Sequence, residues 1–171
     1  MSIIAVIHQP DYLSYPGFFH RLLHADIFII LDDVQFVKSP NGLTHRDLIK
    51  TPKGSSWLTL NTVKAPQKTA INCIKLSEAI DWRTKHLNLI VQNYKKSPFY
   101  GEIYPYITDL YKKDYPNLID INMESIKMLM KLFDINIPIQ LASELASNGS
   151  KNELLISLLG NVNATHYLSG T

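Results

Sequence analysis

The sequence predicts an α/β fold, a Rossmann-like parallel sheet flanked by helices, and three observations predict it. Residues 3–7, IIAVI, and 27–31, IFIIL, are short unbroken apolar runs rich in Ile, as strands covered on both faces require. Between them GFFHRLLHAD reads as a helix, so strand, helix and strand follow within about 30 residues as a βαβ unit with a right-handed crossover. Late in the chain THYLSGT reads as a further strand that breaks into a Gly turn.

The remaining elements follow in order. From about 35 to 76 the turn clusters SPNG and TPKG, then SWLTLNTV and INCIKL with their β-branched content, predict a β-rich insertion in which Cys73 alternates as a buried strand residue. From about 79 to 133 apolar residues recur at helical spacing, Ile80, Leu87, Ile90, Val91 and Tyr94 first and Leu118, Ile121, Met128, Leu129 and Leu132 last. Three helices are expected there. IPIQLA suits another strand, and SKNELLISLLG a capped helix ending at Gly160. No repeat or linker divides residues 1–171, so one α/β domain is expected.

Composition narrows the function classes. Seventeen Lys and Arg against fifteen Asp and Glu leave a formal charge of +2, too little to steer the whole molecule onto nucleic acid or an anionic membrane. No stretch reaches the roughly 20 apolar residues of a membrane span, and the start MSIIAVIHQPDY has no basic leader region. The single cysteine, Cys73, cannot form an intrachain disulfide and fits a reducing compartment. A cytoplasmic protein without membrane insertion or nucleic-acid partner is the expectation. Metal signatures are poor: His20 and His24 are four apart but lack an accompanying Glu.

Chemistry is expected where strands end, because ligands of open α/β sheets sit outside the carboxyl ends of the strands. His8, Gln9, Asp32 and Asp33 all follow a strand directly. The alternative is that His8 satisfies a buried carbonyl and the aspartates turn the chain. Gly17, after Pro16, enters the first helix, where a missing side chain either lets a phosphate approach backbone N–H groups or simply makes a turn. Lys38, His45, Arg46, Lys50 and Lys53 share sixteen residues with one acid, Asp47, and form the local basic patch. Arg46 supplies a fork suited to phosphate or carboxylate, and Trp57 either stacks on a ring or fills the core.

HQPDYLSYPGFFHRLLHADIFIILDDVQF, THRDLIKTPKGSSWLTL and ATHYLSG together resemble the WbqC-like proteins of bacterial surface-polysaccharide (O-antigen) gene clusters over almost the whole chain. Position by position, the resemblance places His8, Gln9, Pro10, Tyr12, Gly17, Asp32, Gln35, Phe36, Arg46, Lys50, Gly54, Trp57, Ser169 and Gly170 in the shared set. Two positions depart: His45 stands where the family usually has Asn, and LNTV where it has a VPV stretch. Members also continue past the LSG motif, so a C-terminally truncated chain is expected. A fainter likeness is to nucleotidyltransferases of HxGH architecture, whose tetrad is here Tyr15-Pro16-Gly17-Phe18 without either histidine.

The resemblance implies a transferase that moves a small acyl group such as glycyl onto an activated amino sugar, with a nucleotide-linked or phosphorylated sugar as its partner. In that reading His8 is the base and Asp32 its orienter or a cation-binding acid. Gln9, Tyr12, Gly17, Gln35, Arg46, Lys50, Ser169 and Gly170 would contact substrate. A non-catalytic nucleotide-sugar-binding accessory protein and a nucleotidyltransferase are the alternatives; the cofactor is left unassigned. Lys38, Arg46, Lys50 and Lys53 should then converge on the mouth of the His8 pocket.

Overall fold

The computed structural model describes residues 2–39 and 42–170. The middle of the SPNG turn and the terminal Thr171 lie outside the described residues. In chain order the elements are β1 (Ile4–His8), α1 (Pro16–Leu22), β2 (Ile27–Ile30), β3 (Arg46–Thr51), β4 (Gly54–Thr59), α2 (Trp82–Tyr94), α3 (Tyr100–Lys112), α4 (Leu118–Leu132), β5 (Ile139–Leu141), α5 (Asn152–Asn161) and β6 (His166–Tyr167). The fold is α/β and Rossmann-like, with the β-rich insertion and the helical segment where the sequence puts them.

Four strands make one parallel sheet in the order β5-β2-β1-β6. The apolar runs of β1 and β2 are needed because both faces are covered. Val6, Phe28 and Ile30 point to α1 and α4, where Phe18, Leu22, Ile126 and Met130 meet them. Ile7 and Ile29 point the other way, onto Leu158 of α5. The chain steps in one direction from β1 through β2 to β5, then returns to the far side of β1 as β6. Right-handed crossovers in opposite directions must lie on opposite faces, which is how α1 and α5 are arranged. The reversal makes a topological switch point between β1 and β6.

In the insertion, β3 and β4 form an antiparallel hairpin from Arg46 opposite Thr59 to Thr51 opposite Gly54. INCIKL departs from the expected strand. Residues Ile71–Cys73 form a 3₁₀ turn, with Ile71 and Ile74 buried at 0% and 1% exposure. That spacing of three is the period of such a turn, and it leaves Cys73 exposed rather than buried.

The three expected helices are present, with Ile80 left outside α2 and 55% exposed. Helix α2 starts where the Asp81 carboxylate accepts the Thr84 N–H at 3.0 Å. At α4 the Asp120 carboxylate accepts the Asn117 N–H at 3.0 Å. Helix α5 lacks the expected cap: it follows Lys151 at φ 50°, with no side-chain hydrogen bond at its first turn. The hairpin, α2, α3 and the start of α4 enclose a second core around Leu58, Leu60, Leu110 and Leu118, and Tyr12 belongs to it. Among the described residues no helix is long and apolar enough to cross a membrane.

Candidate functional site at the carboxyl edge of the sheet

Parallel pairing brings the strand ends together. His8 lies abreast of Ile30, so Asp32 begins the loop at the same edge. Ala5 lies abreast of Tyr167, and the Leu168 N–H donates to the Ala5 carbonyl at 2.9 Å. Adjacent strands are under about 5 Å apart, so the ends of β1 and β2 border one small space. A cleft of about 390 Å³ opens there, lined by His8, Gln9, Asp11, Leu31, Ser39 and Thr44 among others.

His8 is the polar ring of this cleft, its side chain 28% exposed and its edge set against Phe18 at 5.2 Å between centroids. Its Nδ1 lies 2.9 Å from the Gln9 carbonyl and 3.6 Å from Asp11 Oδ2. A carbonyl only accepts, so Nδ1 is the donor in that bond and carries a proton. Burial raises the Asp11 carboxyl above its ordinary pKa, while His8 and a hydrogen bond from Thr44 pull it back down. Thr44 Oγ1 lies 3.4 Å from Asp11 Oδ1 and 3.3 Å from Gln9 Oε1.

Helix α4 clamps the loop that carries these groups. Asn122, fully buried, donates its two amide protons to the carbonyls of Pro10 and Thr44, each at 2.7 Å. Ser125 Oγ accepts the Leu13 N–H at 3.4 Å. The loop after β1 and the segment before β3 are thus held to one helix face, which sets the position of His8 relative to Thr44.

The other predicted site residues divide. Asp32 is at the expected edge but is 1% exposed, and its oxygens accept from Ser143 N–H at 3.0 Å, Ser143 Oγ at 2.6 Å and Asn72 Nδ2 at 3.1 Å. It ties the β2 end to the β5 end, and the carboxylate beside His8 is Asp11 instead. Tyr12 is fully buried, its hydroxyl engaged with Tyr111 and with His86 at 3.2 Å, out of reach of the cleft. At Gly17 a Cβ would come within 2.7 Å of the Tyr15 ring, so the glycine makes room for that ring rather than for a phosphate.

Nor does the basic patch converge. Arg46 Nη2 donates to the carbonyl of cleft-lining Ser39 at 3.3 Å, with its guanidinium 4.1 Å from the centre of the half-buried Trp57 ring. Lys38 and Gln35 line a neighbouring cleft of about 370 Å³ with Thr62 and Lys64. Lys50 and Lys53 are exposed on the hairpin, Lys50 four strand residues from Arg46, or about 13 Å. His45 is 2% exposed; burial, then the charges of Lys38 and Arg46, lower its pKa to about 4. It is a neutral core ring rather than part of a charged face. Ser169 and Gly170 are exposed beside β1, and the Ser169 hydroxyl donates to the Gly170 carbonyl at 2.9 Å.

The model of the WbqC-like protein family matches residues 9–171. The chain belongs to that family. It is 27% identical over 172 aligned positions to a Mycobacterium tuberculosis protein, "Uncharacterized protein Rv1507c", covering 99% of this chain and 73% of that relative. No solved structure gives a significant match.

In this WbqC-like chain, sequence reasoning missed Asp11, Arg21, Asn122 and Ser125, and each had a signal. Asp11 stands three residues after His8. Arg21 is a charge on the apolar face of α1, three residues from Phe18. Asn122 and Ser125 sit three apart between Ile121 and Ile126, a polar pair on an otherwise apolar helix face.

Proposed function

We propose that this WbqC-like chain is a cytoplasmic enzyme of bacterial surface-polysaccharide (O-antigen) assembly that transfers a small acyl group, such as glycyl, to the amine of a nucleotide-linked or phosphorylated amino sugar. The observation that carries the reading is the His8–Asp11 pair in a cleft at the carboxyl edge of the sheet, 3.6 Å apart. In the reaction the sugar amine attacks the carbonyl carbon of an acyl thioester or acyl phosphate. A C–N bond forms, the bond from acyl carbon to leaving group breaks, and the leaving group keeps the electron pair. His8 Nε2 takes the amine proton, and Asp11 beside Nδ1 stabilises the imidazolium that results. Gln9, fixed by Thr44, and the Ser169–Gly170 backbone border the substrate. Arg46, reaching Ser39 at the rim, offers the nearest cation of the former basic patch.

The test is mass spectrometry of nucleotide-linked amino sugars incubated with the protein and a panel of acyl donors. Gain of one acyl group by the sugar, abolished in His8→Gln, is the expected result. Tight sugar binding with no donor consumed would replace this reading by the accessory-binding one, and pyrophosphate release from a nucleoside triphosphate by nucleotidyl transfer.

A further inference from the structure

Arg21 occupies an unusual position. It lies on α1 with 8% of its surface exposed, and among the described residues its Nε, Nη1 and Nη2 all lack a hydrogen-bond partner. A buried lysine or histidine can discard its charge, but a guanidinium stays protonated. A buried cation with five unmet donors is costly and is ordinarily matched by an anion.

Its surroundings indicate where that anion enters. The guanidinium carbon is 5.7 Å from the centre of the Phe18 ring, and the same ring touches His8. On another side stands Gly170, where a Cβ would lie 2.9 Å from Nη1. Only glycine leaves that approach uncovered. Asp11 feels the Arg21 charge but makes no ion pair with it among the described residues. The cation therefore stands beside the segment that follows β6 and shares the Phe18 ring with His8, and ligands of such sheets collect near the switch point between β1 and β6.

We infer that Arg21 binds an oxyanion of the ligand, a phosphate or carboxylate gripped by the guanidinium fork against the Gly170 backbone. This deepens the acyl-transfer reading by giving the substrate's negative group a place, and it rests on that reading only for which molecule carries the anion. Bidentate pairing uses parallel N–H donors that an ammonium cannot reproduce.

Isothermal titration of the full chain at low salt, with pyrophosphate and with glycine as separate titrants, tests the inference and separates the two sources. One of them should bind, at least tenfold more weakly in Arg21→Lys and undetectably in Arg21→Met, and should raise the melting temperature of the unsubstituted protein alone. Arg21→Met keeps an apolar stem in an apolar setting, and circular dichroism reports whether it folds. Gly170→Ala provides an independent variant: its Cβ should weaken the same titrant tenfold or more with the fold intact. Absence of binding by the unsubstituted chain, or equal affinity in a folded Arg21 variant or in Gly170→Ala, overturns the inference. Arg21-dependent binding without any acyl transfer leaves it standing and overturns the enzymatic reading; transfer undiminished in Arg21→Met does the reverse.

Discussion

The short segment from His8 to Tyr12 ends in two polar clusters that are finished in different ways. At Tyr12 the hydroxyl meets Tyr111 and His86, and His86 Nε2 donates to the Thr59 carbonyl at 3.2 Å. The hydroxyls and ring nitrogens of Tyr12, Tyr111 and His86 are thus spent on one another and on Thr59, while Trp82 packs its ring against both His86 and Tyr111 and leaves only its Nε1 without a partner there. At His8 one ring nitrogen is tied and the other has no protein partner among the described residues, Asp11 is partly compensated, and Arg21 has unmet donors. Side chains of similar chemistry, four residues apart, thus serve the core in one place and line an open cleft in the other. The difference lies in whether the imidazole and its polar neighbours find all their partners within the protein.

Five substitutions probe that contrast, from the largest expected effect to the smallest. His8→Gln should lower acyl-transfer turnover by about 10²–10⁴-fold while shifting stability by less than about 0.5 kcal/mol. A collapse of the fold in this variant would move His8 to the closed class. Asp32→Asn should do the opposite. Replacing one oxygen by an amide sets donor against donor at Ser143 or Asn72, at about 1–3 kcal/mol in urea unfolding. Full stability with lost turnover would return Asp32 to the site.

His86 supplies the pH test. Burial first, then the charge of Lys85, lowers its pKa to about 4 from 6.5, against a raising hydrogen bond to Thr59. Between those values the unfolded chain binds a proton that the native protein does not, so stability falls as pH drops from 6.5 towards 4. His86→Gln should flatten the stability curve by about 1–2 kcal/mol between pH 6.5 and about pH 5. An unchanged slope would show the ring to be protonated in the native state. Removing the Trp57 stack in Arg46→Ala should cost about 0.5–1 kcal/mol, whereas Lys50→Ala should alter neither stability nor anion affinity measurably. An anion-binding loss in Lys50→Ala would restore the hairpin to the site.

The sheet was legible because two Ile-rich runs leave little choice of environment, and the edge at which His8 and Asp32 stand followed from parallel pairing alone. What could not be read was the direction of each side chain once past the strand end. Asp32 and Asp11 are both carboxylates in the same stretch of sequence, and only the packing of Ser143, from more than a hundred residues away, decides which one is used up. Tyr12 was drawn into the second core by His86 and Tyr111, distant partners that no local pattern announces. The lysines misled because charge clustered in sequence is spread along a hairpin at about 3.3 Å per residue.

The pairing of β1 with β6 joins segments very far apart: the Ile3 N–H is held by Thr165 Oγ1, 162 positions later. During synthesis the first strand emerges early, yet one wall of the switch-point crevice is missing until the chain beyond α5 has left the ribosome. Contacts of such separation also form late in refolding, after the loop entropy between them has been met. A nascent or prematurely terminated chain would therefore carry His8 and Arg21 without Gly170 beside them. Proximity of Gly170 to Arg21 is thereby made a property of chains extended through β6, and the β1–β6 seam closes only once that later strand can pair.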